Sequence, residues 1–133
     1  MASQLIPPAE AQPALEIEVD ATRNILRKRF YGHVSAAKMK AGAEEVAQVL
    51  PRMRAGFSLV VDLSQLEAMD LDCVPHLTKI MDLVRAQGVS LVVRVMPDPA
   101  KDIGFNILSV THYRGKVKVV TCETQAEAER ALQ

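Results

Sequence analysis

The chain of 133 residues is 49% apolar and 24% charged, a composition typical of one soluble globular domain. Its sixteen basic and sixteen acidic residues cancel, which argues against a nucleic-acid-binding protein. No apolar run approaches the roughly 20 residues of a membrane-spanning helix, so membrane insertion is not expected, and the N-terminus lacks the pattern of a signal peptide. The two cysteines, Cys73 and Cys122, are distant in sequence. We therefore expect reduced, semi-buried thiols in a cytoplasmic protein.

The N-terminal part predicts a tail followed by a β-hairpin. Residues 1–13 are rich in Pro, Ala and Gln and are predicted to form a flexible tail, whereas residues 14–133 form the domain. Apolar and acidic residues alternate along 15–20, which is the two-residue period of a half-buried strand. Residues 21–24 predict a turn into a second strand over 25–34, and so short a link favours antiparallel pairing.

The middle of the chain predicts two amphipathic helices separated by a strand. Ser35 can cap the first helix, and Pro51 should end or kink it. The nearly all-apolar segment 57–64 predicts a strand that is buried on both faces. From Leu71 a second apolar stripe begins, and it ends before Gly88. The two stripes consist of Met39, Ala43, Val46, Leu50 and Met53, and of Val74, Leu77, Ile80, Met81 and Val84.

The C-terminal part continues the alternation of strands and helices. Buried strands are predicted over 89–96 and 116–122, with a helix over 97–113 between them. Thr124 and Glu127 have the capping-box spacing of a last helix. The order β-β-α-β-α-β-α-β-α predicts an α/β fold: one domain with a mixed, mostly parallel sheet, an N-terminal β-hairpin and about four helices.

Two acidic residues, Asp70 and Asp72, lie where the second helix begins. Asp70 is well placed to be the N-cap, with its carboxylate accepting a backbone N–H group. Asp72 then lies in the first turn, where the helix dipole favours a negative charge by about 0.3–1 kcal/mol. On local grounds alone, both acids can simply start a helix.

The surrounding segment, LVVDLSQLEAMDLDCVPHL (residues 59–77), adds a second interpretation. It resembles the core motif of STAS domains, the anti-sigma factor antagonist family, and the predicted element order is also similar over about residues 15–132. In that motif an apolar residue and Asp precede two hydroxyl residues and a Gly at a helix start. Met69 and Asp70 match the apolar-Asp pair, whereas Leu71 and Asp72 take the hydroxyl positions. Cys73 replaces the Gly.

The resemblance implies a non-enzymatic regulatory module that works by protein–protein binding. In the family, the second hydroxyl is phosphorylated by a kinase that is also the anti-sigma factor, and the phosphate weakens their binding. Asp72 is then the phosphosite-equivalent residue, and its carboxylate imitates part of a phosphoserine charge, about −1 against −1.5 to −2. We interpret Asp72 as a permanently charged replacement, or as the mark of a role that never used the switch.

The contact patch for such a partner is predicted at the ends of successive parallel strands, because loops there lie at one edge of the sheet. The expected partner is a regulatory protein such as an anti-sigma factor or kinase-like protein, and a homodimer is possible. Cys73, in the first helical turn, should have a lowered thiol pKa if the dipole acts on it, which would suit a redox sensor; a packed core cysteine is the alternative. The predicted patch consists of Asp70, Asp72, Cys73, His76, Asp98 and Lys101.

The sequence also offers features that bear on other functions. A broad apolar sector in the 97–113 helix suits self-association or the wall of a pocket for a small hydrophobic ligand or lipid, and that is the alternative function. The histidines and cysteines lack metal-ligand spacing, and no nucleophile motif is present, so neither a cofactor nor catalysis is expected. Asp72 and His76 are four residues apart and could pair on a helix surface. Arg27 and Arg29 share a strand face, which we interpret as a solvated sheet edge.

Overall fold

The computed structural model describes residues 15–98 and 117–133, which form a mixed five-stranded sheet in the order β1-β2-β3-β4-β5. The described part contains three α-helices. The strands are β1 (Leu15–Asp20), β2 (Ile25–Val34), β3 (Ser58–Met69), β4 (Leu91–Val95) and β5 (Lys118–Cys122), and the helices are α1 (Ala36–Val49), α2 (Val74–Ala86) and α3 (Gln125–Ala131).

The sheet has the predicted topology. β1 and β2 form an antiparallel hairpin whose turn ends at Asn24, which has a positive φ of 57°. The pairs β2–β3, β3–β4 and β4–β5 are all parallel. The fold class is therefore confirmed: an α/β domain with one antiparallel strand at the edge of a parallel sheet.

Most of the hydrophobic core lies between the sheet and the helices α1 and α2. The N-cap Ser35 accepts a hydrogen bond from the Lys38 N–H group, and Pro51 lies in a 3₁₀ turn that ends α1. Gly42 lets α1 approach β1 closely, because a Cβ at this position would lie 2.7 Å from Leu15 Cδ2. The first predicted stripe is buried in full and the second from Leu77 onward.

Two expectations for the strands are wrong. β3 does not end near Ser64 but continues to Met69, because it still pairs with β2 after it has left β4. β2 is not a solvated edge, since it lies between β1 and β3, and its Lys28 is buried over the Phe30 ring at 5.8 Å. No hydrogen bond to Lys28 Nζ occurs within the described ranges.

Some predictions concern residues outside the described ranges. The flexible tail over 1–13 and the helix over 97–113 fall there wholly or almost wholly, together with the pocket wall assigned to that helix. In the described part, no helix is long and apolar enough to cross a bilayer.

Candidate functional site

Within the described residues, which begin at Leu15, β2 and β3 extend together beyond their outer neighbours and form a two-stranded arm. In that part of the chain, β1 pairs with β2 as far as Phe30, and β4 pairs with β3 as far as Asp62. Beyond these points, residues 31–34 of β2 pair with residues 65–69 of β3. Two register shifts interrupt this ladder, and Gly32, with a φ of 60°, lies at the second. The arm carries the predicted acidic junction away from the body of the sheet.

The turn after β3 is fixed to the end of β2 by two hydrogen bonds and is closed by a third within the turn. The Asp70 N–H group donates to the Val34 carbonyl at 3.1 Å, and the Cys73 N–H group donates to the Asp70 carbonyl at 3.0 Å. The Cys73 thiol donates to the same Val34 carbonyl at 3.3 Å. These bonds define a 3₁₀ turn, Leu71–Cys73, which precedes α2. The conformation of the turn is therefore fixed by hydrogen bonds.

Asp70 does not cap the helix with its side chain, contrary to the sequence-based prediction. It occupies the N-cap position of the 3₁₀ turn with extended backbone angles, but its carboxylate accepts no backbone N–H group there. Instead, Asp70 Oδ1 lies 2.6 Å from His33 Nε2, which donates to it. Both side chains are largely exposed, so this pair contributes little to stability. It fixes the direction of the Asp70 carboxylate.

Cys73 is the packed cysteine of the two alternatives, and it cannot belong to a contact patch. Its side chain is fully buried in the main core. Burial raises the pKa of the Cys73 thiol, and the negative charges of Asp70 and Asp72 raise this pKa further, although a backbone hydrogen bond at Asp70 opposes them. The expected lowering of its pKa by the helix dipole is therefore wrong. Cys122 is also a free cysteine, and both thiols are buried rather than semi-buried.

Leu71 and Val74 are exposed, although sequence periodicity placed both on the buried stripe of α2. Leu71 is 85% exposed and Val74 43%, and they are the exposed large apolar residues of the described part. The buried stripe begins instead at Cys73 and continues through Leu77. A helical apolar stripe that starts at Cys73 instead of Val74, with Cys counted as apolar, would have predicted this burial.

Asp72 is exposed in the 3₁₀ turn, between these two apolar residues. No hydrogen bond or ion pair joins it to His76 in the part of the chain that the structure describes, so the conceivable acid–base pair is not formed. Leu71 and Val74 are three residues apart, which in a 3₁₀ turn places them on one side. We name the group the acidic–apolar surface; it consists of His33, Asp70, Leu71, Asp72 and Val74.

The remaining predicted patch residues are His76, Asp98 and Lys101. His76 is partly exposed on α2, four residues after Asp72. Asp98 is exposed beyond β4, at the same edge of the sheet as predicted. However, β3 runs on past Asp62 for about 25 Å of extended chain before it reaches Asp70, so the arm separates the two loops. Lys101 lies outside the described residues.

His33, Leu71 and Val74 are the site residues that the sequence-based prediction missed. His33 is 37 residues from its partner Asp70, and only the parallel pairing of β2 with β3 brings them together. Within residues 15–98 and 117–133, no group of three or more His, Cys, Asp or Glu side chains has the geometry of a metal site. The geometry suits a contact surface: apolar side chains on a fixed turn, with carboxylates beside them.

The fold is similar to that of several solved structures. SpoIIAA, an anti-sigma factor antagonist, matches in its unphosphorylated form with a TM-score of 0.60 and 13% identity, over 89% of this chain and 96% of that one. Its phosphorylated form from Bacillus matches with a TM-score of 0.62 and 15% identity, over 90% and 100% of the two chains.

Two further structures support the same assignment. An anti-sigma factor antagonist from Mycobacterium paratuberculosis matches with a TM-score of 0.57 and 18% identity, over 92% and 97% of the chains. An uncharacterised Shewanella loihica protein with a SpoIIAA-like fold has a TM-score of 0.69 and 10% identity, over 96% and 100%. No protein-family model and no curated protein sequence matches this chain. The chain therefore has a STAS-like fold, as the sequence predicted.

Proposed function

We propose that this STAS-like domain is a non-enzymatic regulatory module that binds another protein through the acidic–apolar surface and acts in the cytoplasm. The observation that carries the proposal is the exposure of Leu71 on an ordered turn. Burying such a side chain would be favourable by about 1.5–3 kcal/mol, so a fixed and fully exposed leucine is available for a partner. Its position at the helix start matches the region that the family motif marks as the regulatory one.

The charge at residue 72 distinguishes this surface from one controlled by phosphorylation. SpoIIAA has been solved in unphosphorylated and phosphorylated forms. Asp72 carries a permanent charge at the corresponding position of the motif, and a carboxylate cannot form a stable serine-type phosphate ester. We infer that the chain lacks the switch at this residue and presents the charged state continuously.

The chemistry of the surface limits the partner. To bury Leu71 and Val74, the partner needs an apolar pocket. To pair with Asp70 and Asp72, it needs basic side chains or N–H groups around that pocket. His33 occupies one side of Asp70, so Asp72 is the freer carboxylate. A regulatory protein such as an anti-sigma factor or kinase-like protein fits these requirements, and a second copy of this chain is the other candidate.

The experiment is quantitative affinity capture from native lysate, in which wild type is compared with Leu71→Ser and Asp72→Ser. The Kd of each variant is then measured for any protein that is captured. Glu45→Gln, at an exposed α1 residue that is not part of the acidic–apolar surface, is the matched control. We expect Leu71→Ser to weaken binding at least tenfold and Glu45→Gln to leave it unchanged. A partner that binds wild type and Leu71→Ser equally would refute the proposed surface.

A second measurement tests the permanent charge. Wild type and Asp72→Ser are incubated with the captured partner and ATP, and phosphate is located by mass spectrometry. If the partner is a kinase of this type, we expect phosphate on residue 72 of the variant and none on residue 72 of wild type. Regulatory phosphorylation of wild type at another residue, such as Ser64, would contradict a switchless surface.

The alternative function, a carrier of small hydrophobic ligands, has no supporting observation in the described ranges. One cleft in the described part has a volume of about 50 Å³, and charged side chains from β1, β2 and β3 line it. It is too small and too polar for a lipid chain. The helix that motivated the alternative lies outside those ranges.

A further inference from the structure

The C-terminal helix α3 is attached to the sheet by few apolar contacts. It has only seven residues, and an isolated helix of that length is not stable in water. Thr124 caps it and accepts a hydrogen bond from the Glu127 N–H group at 3.1 Å. Ala128 is its only buried residue, with Ala131 and Leu132 packed at the margin. Small side chains supply little of the free energy that holds the helix in place.

Polar contacts supply much of the remaining attachment. Gln125 Nε2, on α3, donates a hydrogen bond to Asp62 Oδ2, on β3, at 2.7 Å. Glu129 forms an ion pair with Arg27 at 2.8 Å and a longer one with Arg23 at 3.5 Å. Both ion pairs are partly solvent-exposed, with side-chain exposures of 46% for Arg23, 42% for Glu129 and 24% for Arg27, so salt should screen them. The helix is thus held mainly by contacts that can be broken singly.

A small apolar cluster lies beneath α3, and it includes Cys122. The thiol is only 5% exposed, and burial raises its pKa. The negative charge of Glu127 raises this pKa further, and the positive charge of Arg130 lowers it. The other cluster members are Ile25, Val60, Val93 and Val95.

We propose that α3 is a strap that detaches from the sheet in a local opening, separate from global unfolding, and that this opening uncovers Cys122 and the apolar strip beside it. Cys73 provides the internal comparison, because it is buried in the main core where α2 begins, and we expect it to lose its cover only when that core opens. Local openings of weakly packed elements are less costly than global unfolding. The open form, in which α3 is detached, is therefore a second state of the fold, and its population should depend on salt.

The test is the rate at which each thiol reacts with a neutral aromatic disulfide, 4,4′-dithiodipyridine, in the full chain without denaturant. Peptide mass spectrometry resolves Cys73 from Cys122 in the same sample. We expect Cys122 to react at least tenfold faster than Cys73. Raising the salt from 0.05 to 0.5 M should accelerate Cys122 about twofold and leave Cys73 unchanged.

Two variants identify the motion as release of α3. Gln125→Ala removes the bond to Asp62 and should accelerate Cys122 about tenfold, since hydrogen bonds to charged groups contribute about that factor. Glu129→Gln should accelerate it about 2- to 5-fold. Glu45→Gln, a matched charge removal on α1, should change neither rate. Circular dichroism and urea unfolding confirm that each variant is folded.

Three results would overturn the proposal. The first is a Cys122 rate that is no faster than the Cys73 rate, which would mean that both thiols react through one opening. The second is reaction of Cys122 only at urea concentrations that unfold the chain. The third is a fast Cys122 rate that neither α3 variant alters, since the motion would then involve another element.

Discussion

The two faces of the sheet are built in different ways. The face under α1 and α2 carries a continuous aliphatic core, and helices of 14 and 13 residues cover it. The opposite face carries a small apolar cluster under α3, and beside it charged side chains from β1, β2 and β3 that pair with one another. The contrast indicates that the first face holds the fold together, while the second can change its contacts without loss of the fold.

The largest expected effect tests this division directly. Ile80 is fully buried on the inner side of α2, so Ile80→Ala should lower the free energy of unfolding by about 2–5 kcal/mol through lost burial and a cavity. Leu132→Ala, at the margin of the cluster under α3, should lower it by about 1 kcal/mol or less. Urea unfolding followed by circular dichroism measures both. Equal losses in the free energy of unfolding would show that the two faces contribute equally to stability.

Lys28 is an exception within the aliphatic face, and it predicts a gain in stability. Burial lowers the pKa of Lys28 from 10.5 to about 8, because the desolvation of its ammonium group disfavours the charged form. At about 1.4 kcal/mol per pKa unit, the charged form destabilises the fold by roughly 3 kcal/mol near neutral pH. Lys28→Met should therefore raise the free energy of unfolding by about 2–3 kcal/mol at pH 7.

The pH dependence gives a control for this prediction. Below pH 8 the folded and unfolded chains both keep the Lys28 proton, so the full penalty is present. Between about pH 8 and 10.5 only the unfolded chain binds it, so the free energy of unfolding of wild type should rise with pH. The difference between Lys28→Met and wild type should shrink over the same range. A difference that stays constant with pH would contradict a charged, buried Lys28.

The sequence predicted the fold because periodicity reports on which residues are buried in regular elements. The bounds predicted for β2, 25–34, agree with the structure, and the apolar run 57–64 identified the part of β3 that is covered on both faces. The continuation of β3 was missed because residues 65–69 pair with β2 alone, and their burial follows no two-residue period. Lys28 was missed because lysine is rarely buried, so periodicity that counts only apolar residues passes over it.

The candidate site was less predictable because it depends on contacts between distant segments. Sequence spacing brought Asp70 and Asp72 to a helix start, but it could not show that His33, on β2, would orient the Asp70 carboxylate. Cys73 was assigned to the surface because the motif places a Gly there, whereas the packing of α2 turns its side chain inward. Motif position and side-chain direction are separate properties, and only the second depends on the three-dimensional packing.

A smaller effect is expected on the charged face, at Asp62. Its buried carboxylate accepts hydrogen bonds from Arg29 Nε at 2.8 Å, Gln125 Nε2 at 2.7 Å and the Ser64 N–H group at 2.9 Å. Asp62→Asn should lower the free energy of unfolding by about 1–2 kcal/mol, because the charge-assisted bonds weaken while the volume is kept. Urea unfolding at 0.05 M salt measures the change.

Glu16→Gln is the matched control for Asp62. Glu16 also faces Arg29, at 3.7 Å, but its side chain is exposed. It should therefore change the free energy of unfolding by less than about 0.5 kcal/mol. If the two variants lost the same stability, burial of Asp62 would not be what makes its contacts matter, and the polar attachment of α3 would be weaker than inferred.

The smallest effect on stability is expected at the acidic–apolar surface. Leu71 is 85% exposed, so Leu71→Ser should change the free energy of unfolding by less than about 0.5 kcal/mol in urea unfolding. Cys73→Ala, two residues on, should lower it by more than 1 kcal/mol, since its buried thiol packs in the main core and donates to Val34. If Leu71→Ser destabilised the fold as much as Cys73→Ala, Leu71 would be part of the core. If instead Leu71→Ser preserves stability and abolishes partner binding, then Leu71 serves binding and Cys73, two residues on, serves folding. This separation is expected when a contact surface lies on a fold that other residues stabilise.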